Sequence, residues 1–248
     1  RRRIVHGGRR VQHGIEPGDF TFDTALAAYL LSPGVADLSL AKVSERYLGK
    51  APEPSADTAE AACRAAVATA ALEPVLAERV TNDNLQDVFR LVEMPLVPIL
   101  AAMEMRGVKV DEAWLKTLSE DLGRRIEATA EEIYRLAGER FLISSTQQLQ
   151  RVLFEKLGLP AGKRTKTGRT TSADHLEALA AEYPIAGLVL QYRELTKLKS
   201  TYADALPRLI RPSTGRVHTT LNQMVTSTGR LSSSDPNLQN IPVRSEEG

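Results

Sequence analysis

What this sequence lacks narrows its reading first. Cys63 is the only cysteine, so no internal disulfide can form, and a lone thiol fits a reducing compartment. An excess of charge is also missing: 32 Lys and Arg stand against 31 Asp and Glu, a formal net charge of +1. The overall balance therefore argues for no polyanionic partner, and any such argument must rest on where the charges sit. No apolar stretch approaches the roughly 18 residues that cross a bilayer, and no leader pattern is visible, so no membrane segment is expected. What is present, 25% charged and 42% apolar residues in a chain of 248, describes a folded globular protein, large for one domain and comfortable for two. The first residue is Arg1 and the last residues run off mid-pattern, so an internal piece of a longer chain is expected.

Arg1, Arg2, Arg3, Arg9 and Arg10 surround Gly7-Gly8; a basic start of this kind suits a solvated end or a nucleic acid. Asp23 before TALAAYLL reads as the cap of a short helix ending near Ser32-Pro33-Gly34. A second helix, about Leu38–Leu48, stops at Gly49, and an Ala-rich third spans about Thr58–Arg79, on which Cys63 reads as a buried small residue. From Asn82 the texture changes to long helices. Leu85, Val88, Phe89 and Val92 step along one face, and Leu96, Ile99, Leu100 and Met103 continue it, with Pro95 either starting a new helix or kinking one. Asp111 caps the clearest helix, whose Leu115, Leu118, Leu122, Ile126 and Ile133 recur at heptad-like spacing as far as Gly138. Such stripes are core or helix-pairing surfaces and ask for no cofactor. Ser145 with Gln148, and Thr171 with Asp174, read as capping boxes. A helix from Ile185 to about Leu206 carries Lys197, Lys199, Ser200 and Thr201 as polar donors towards its far end. After a turn at Arg211–Gly215, VHTTLNQMV alternates like one arm of a hairpin.

Two stretches hold residue types suited to a polyanion. In PAGKRTKTGRTTSAD, Lys163, Arg164, Lys166 and Arg169 follow one another with no acid between Glu155 and Asp174, and Gly162 and Gly168 keep the backbone pliable. This segment reads either as a solvated basic loop or as a phosphate-binding tip. Four such cations meeting about four phosphates would make affinity fall with salt at a log–log slope near about −3.6. The other stretch, TSTGRLSSSDPNLQNIPVRSEEG, is broken by Gly229, Pro236 and Pro242, and its serines favour turns. It offers forked or planar groups, Arg230, Asn237, Gln239, Asn240 and Arg244, which suit phosphate oxygens and base edges. A polar surface loop is the plain alternative.

TGRLSS followed by DPNLQNIPVR resembles the early palm segment of bacterial family A DNA polymerases. SSTQQLQRVLFEKLGLP, KRTKTGRTTSAD, YRELTKLKSTYADALP and GRVHTTLNQMV resemble the family's thumb and adjoining palm in the same order. The resemblance implies a mainly α fold with a minor β part: a helical thumb-type domain joined to a truncated α/β exonuclease-like remnant and the first strands of a palm. It places these at 82–206, 1–81 and 207–248 respectively. It also implies that double-stranded primer–template DNA is the partner of a monomeric, bacterial, cytoplasmic chain. The contacts would come from the tip Lys163, Arg164, Lys166 and Arg169, from Lys197, Ser200 and Thr201 of KLKSTY, and from Arg230, Asn237, Gln239, Asn240 and Arg244.

In family A, the paired carboxylates that hold two metal ions, and the nucleotide-binding helix, lie beyond the equivalent of Gly248. The chain is accordingly expected to carry no cofactor and no catalytic residue of its own, with Mg2+ belonging to the full-length parent. FDTALAAYLL resembles part of the family's 3′–5′ exonuclease domain, yet AEAACRAAVATAAL lacks that domain's Tyr-x-x-x-Asp, so proofreading is not expected. A freestanding DNA-binding accessory and a residual 3′–5′ exonuclease are the competing readings.

Overall fold

The computed structural model describes residues 4–7, 20–162, 164–165 and 168–241. Their packing forms two compact units: residues up to Val108 join His218–Asn240, and Lys109–Val217 build the second. The fold is mainly α, with a minor part made of four two-stranded pairs.

In the first unit, β1 (Ile4–Val5) runs parallel to β2 (Phe22–Asp23). Asp23 ends β2 and caps α1 (Thr24–Leu31), as its place before TALAAYLL predicts: Oδ1 accepts from the N–H groups of Ala25 at 2.8 Å and Leu26 at 3.3 Å. The same oxygen accepts from Gly7 N–H at 3.0 Å. His6 bridges to Thr24 Oγ1 at 2.8 Å and the Leu38 carbonyl at 2.9 Å, and its burial pushes its pKa below the ordinary value. The second helix, α2, is Leu40–Leu48, starting two residues later than its sequence suggests. Ser39, held by Asp37 Oδ1 at 2.9 Å, serves as the cap, and left-handed Gly49 is the stop.

Helix α3 (Thr58–Asn82) buries Thr69, Leu72, Leu76 and Val80 along one stripe. Cys63 stands nine residues before Leu72, about two and a half turns and so on the opposite side. It is exposed, not buried. Beyond α3, α4 (Gln86–Val88) passes through a π turn, Phe89–Glu93, directly into α5 (Met94–Arg106). The wide turn adds a residue per cycle, so the buried positions fall at Phe89, Glu93, Val97 and Leu100. Val88, Val92, Ile99 and Met103, expected on that face, are exposed. Pro95 lies in the first turn of α5 and neither restarts nor breaks the helical path. Phe89 meets Phe22 at 4.8 Å between ring centroids, within a core that includes Leu26, Val43, Leu72 and Leu76. This packing places the residues from Gln86 to Arg106 with the preceding part of the chain.

The second unit opens with α6 (Glu112–Ala137), capped by Asp111 on Trp114 N–H at 3.0 Å and ended by left-handed Gly138, as read from the sequence. Helix α7 (Thr146–Gln150) continues as a π turn, Arg151–Lys156. Its capping box is only half made. Ser145 Oγ accepts from Gln148 N–H at 3.4 Å, but Gln148 Oε1 takes the Leu142 N–H at 2.8 Å rather than that of Ser145, whose N–H is already bonded to the Leu142 carbonyl. A short antiparallel hairpin follows, β3 (Arg164–Thr165) and β4 (Gly168–Arg169). Helix α8 (Ala173–Ala180) starts at Ser172 without a side-chain cap; the expected Thr171–Asp174 box is absent because buried Thr171 is held elsewhere. Helix α9 (Pro184–Leu198) runs on through a π turn, Lys199–Ala203, to α10 (Ala205–Arg208). Leu149, Val152, Leu153, Leu176 and Val189 are fully buried at the centre of this unit. The hairpin of β5 (Ile210–Arg211) and β6 (Arg216–Val217) turns at Arg211–Gly215.

The chain then rejoins the first unit. There β7 (Thr220–Asn222) pairs antiparallel with β8 (Ser232–Ser234), Leu221 opposite Ser233. VHTTLNQMV is thus one hairpin arm as expected, but its partner is the triple serine, which pairing with β7 turns from a bend-former into a strand. Truncating fully buried Leu72 to Ala should destabilise the chain by about 2–5 kcal/mol. Leu91→Ala, at a side chain 72% exposed, should stay within about 0.5 kcal/mol; urea unfolding followed by circular dichroism compares the two.

Candidate nucleic-acid interface

The described residues singled out by sequence fall on both units, and each unit's set is taken by itself. On the first unit the platform is the β7–β8 pair, fastened to α5. Leu221 N–H donates to Glu104 Oε1 at 2.6 Å, and His218 Nδ1 lies 2.8 Å from the Glu104 carbonyl. Buried Gln223 donates its amide to the carboxylate of buried Glu93 at 2.5 Å and to the Glu93 carbonyl at 2.8 Å. The connection from β7 to β8 is pinned where the Tyr29 hydroxyl donates to the Thr226 carbonyl at 2.7 Å and Thr226 Oγ1 donates to the Arg230 carbonyl at 2.7 Å. Gly229, at φ 75°, allows the reversal just before Arg230. Arg230 is exposed while its backbone is held.

Past β8 the chain folds back over buried Ser233, whose Oγ donates to the Pro236 carbonyl at 3.1 Å and accepts from Leu238 N–H at 3.0 Å. Gln239 lies alongside: Oε1 accepts from Ser233 N–H at 3.1 Å and Nε2 donates to the Leu231 carbonyl at 2.8 Å. Its amide group is therefore occupied in bracing β8. Asn237 Oδ1 accepts from Gln239 N–H at 3.0 Å, an Asx turn that presents the exposed residue on the same fold-back. Asn240 ends this segment, also exposed. Arg230, Asn237, Gln239 and Asn240 thus share one braced strand and its return. Arg244 lies outside the described residues.

On the second unit the basic segment is a hairpin in which Arg164 and Arg169 stand opposite each other and Thr165 pairs with Gly168. Lys163 and Lys166 lie outside the described residues. The roots of the hairpin are fixed from three directions. Arg169 N–H donates to Gln150 Oε1 at 3.1 Å. Gly162 packs so tightly that a Cβ there would meet Thr170 at 2.8 Å and the His175 ring at 3.0 Å, so its role is close approach rather than pliability. Arg193 donates to the Thr171 carbonyl at 2.5 Å and to Thr171 Oγ1 at 3.1 Å. Burial moves the Arg193 pKa down, and both bonded oxygens are neutral.

Lys197, Ser200 and Thr201 are exposed at the junction of α9 and the π turn, at the three- and four-residue spacing that shares a face. Ser200 Oγ donates to the Thr196 carbonyl at 2.7 Å. Lys199, expected among the outward donors, instead turns in. Its Nζ lies 3.0 Å from both Asp204 carboxylate oxygens and 2.6 Å from Ser119 Oγ, which itself donates to Asp204 at 2.5 Å. The Ser119 hydroxyl and Lys199 hold the Asp204 carboxyl below the ordinary carboxylate range. Among the described residues, no group of three or more His, Cys, Asp or Glu could hold a metal ion, and no helix is long and apolar enough to cross a membrane. Sequence reading missed Gln150 and Arg193 and took Thr171 for a cap: all three act across the fold.

A helical unit carrying a basic hairpin, and a braced strand ending in arginine and amide groups, coincide with a family match: the model for DNA polymerase family A matches residues 112–248. The chain belongs to DNA polymerase family A. Among its relatives, DNA polymerase I of Bacillus subtilis (strain 168) is 45% identical over 250 residues, covering 95% of this chain and 28% of its own length. Thermostable DNA polymerase I of Thermus aquaticus is 49% identical over 237 residues, covering 95% of this chain and 27% of its own length. The chain thus spans little more than a quarter of these relatives. The polymerase domain of Pol1 from M. smegmatis, solved in complex with DNA primer-template and dNTP, superposes with a TM-score of 0.82 at 37% identity, over 92% of this chain and 40% of that one.

The Asp204 cluster gives a pH signature. A carboxyl whose folded pKa is lowered adds stability that is present above the unfolded value of about 3.9 and is lost as pH falls through the folded value. Asp204→Asn should therefore cost about 1 kcal/mol from pH 5 to 8. The gap to the unsubstituted chain should close below about pH 4, as measured by thermal unfolding across pH.

Proposed function

We propose that this chain is the duplex-gripping part of a bacterial family A DNA polymerase. Its Lys163–Arg169 hairpin and the Lys197, Ser200 and Thr201 face hold the phosphate backbone of primer–template DNA. Arg230, Asn237, Asn240 and Arg244 read the groove and backbone near the primer end, with Gln239 bracing them. The observation that carries this reading is the match to the M. smegmatis domain, whose solved structure contains primer-template and dNTP, over 92% of this chain. In this reading residues 82–206 form the thumb, 207–248 begin the palm, and 1–81 are a remnant of an exonuclease fold. Asp23, spent on three backbone amides, is a cap in that remnant and not a metal ligand.

In the parent enzyme the joining of a primer 3′-hydroxyl to the α-phosphate of a nucleotide would draw on metal ions, Mg2+ by expectation, held by carboxylates outside this chain. In this reading the catalytic carboxylates belong to the rest of the parent, and this chain grips DNA without extending it. It works as a monomer in the bacterial cytoplasm.

Fluorescence anisotropy of the purified chain with a labelled primer–template duplex tests the reading. Affinity should fall with salt at a log–log slope of about −3.6 or steeper. Replacing Lys163, Arg164, Lys166 and Arg169 with Ala should flatten that slope by about 3 to 4. Arg230→Ala should weaken binding about tenfold at low salt. With dNTPs and Mg2+ no primer should lengthen. Affinity indifferent to both sets of substitutions would leave the accessory-protein reading standing, whereas magnesium-dependent trimming of single strands lost in Asp23→Ala would revive the exonuclease.

A further inference from the structure

The basic hairpin is a two-residue-per-strand element, too short to hold an orientation by its own pairing. The course of its strands is set at the roots. On the β4 side the chain leaves the hairpin through Thr170 and enters buried Thr171 before α8 begins. Thr171 precedes the cap residue Ser172, so its carbonyl lies before the first turn of α8. The guanidinium of Arg193 donates to that carbonyl, and its second nitrogen takes the Thr171 hydroxyl. Arg193 sits in the middle of α9 (Pro184–Leu198), the longest helix of the unit after α6, so the bond ties the exit strand to a rigid element 22 residues further along the chain. The planar fork matters here. It engages two oxygens of one residue at once, which an ammonium on a flexible stem does not reproduce.

We propose that Arg193 is a positioning residue for the DNA grip: it clamps Thr171 and thereby fixes the course of β4, the strand of the basic hairpin that carries Arg169. The role rests on the hairpin being a phosphate-binding element, as proposed above, and it acts through Thr171 rather than on DNA. Gln150, bonded to Arg169 N–H, holds the same strand, β4, two residues earlier. Loss of the fork leaves the cations in place but disperses them over many orientations. Ordering them on a duplex then costs conformational freedom that the native clamp has already removed.

The test compares the unsubstituted chain, Arg193→Lys, Lys163→Ala with Lys166→Ala, and all three substitutions together, each with a labelled primer–template duplex and each by amide hydrogen exchange without DNA. Arg193→Lys keeps the positive charge, so a group acting by charge alone would lose little. The clamp predicts a five- to tenfold loss of affinity in the intact background and less than twofold in the background lacking the hairpin lysines. It also predicts at least tenfold faster exchange of the Arg169 and Thr171 amides. Equal losses in both backgrounds would mean that Arg193 meets the duplex directly and would overturn the proposal. Unchanged exchange at Arg169 and Thr171 would overturn it as well, whatever the affinities. Should the hairpin lysines prove irrelevant to binding while exchange still rises in Arg193→Lys, the clamp stands and the phosphate-binding reading of the hairpin falls.

Discussion

The amide of Gln223 on the carboxylate of Glu93, both buried, is the contact on which the first unit depends. A buried carboxylate without a donor is costly, so Glu93 commits α5 to receiving the segment that carries Gln223. Glu104, about three turns further along the continuous helical path, then fixes the register of β7 through Leu221. With β7 placed, its pairing places β8, and with β8 the whole row from Arg230 to Asn240. The polar surface at the far end of the sequence is thus located by acids on a helix that, read alone, looks like an ordinary apolar stripe.

Both candidate surfaces follow the same physical rule. Side chains that could reach outward are divided between those that brace and those left exposed. On the first unit Gln239, Thr226 and Ser233 satisfy backbone groups, and Arg230 and Asn237 are presented on the backbone they hold. On the second, Gln150 and Arg193 fix the hairpin roots, Lys199 turns inward to Asp204, and Lys197 and Thr201 stay outside. Amide and guanidinium groups occur in both sets because the same planar geometry that suits a phosphate or base edge also suits a carbonyl. Residue type alone does not separate the roles.

The residues legible from sequence were those whose partners are local. Asp23, Asp111, Gly49 and Gly138 sit next to the backbone groups they serve, so their caps could be read directly. The alternation of VHTTLNQMV announced a strand for the same reason. The face of α4 and α5 could not be read, because three-to-four spacing presumes ordinary turns and Phe89–Glu93 is wider. Cys63 was misplaced because alanine marks neither side of a helix. Gln148 reached Leu142 instead of Ser145, and Ser232–Ser234 became a strand, each because a partner set by the fold outweighed the local preference. Family membership was legible in TGRLSS and NLQN, whereas the work of Arg193, whose acceptor lies 22 residues away, required the folded chain.

The arrangement also sets a timetable for synthesis. Glu93 and Gln223 are 130 residues apart, and at about 5–20 residues per second a ribosome needs roughly 7–26 s to make the intervening chain. Lys109–Val217 emerges in full within that interval, so the later-made unit can mature while the earlier one still waits with an unmatched acid and an open helix face. Of the two units, the one begun first is therefore completed last, and its open helix face is what a chaperone holding nascent chains would meet for longest.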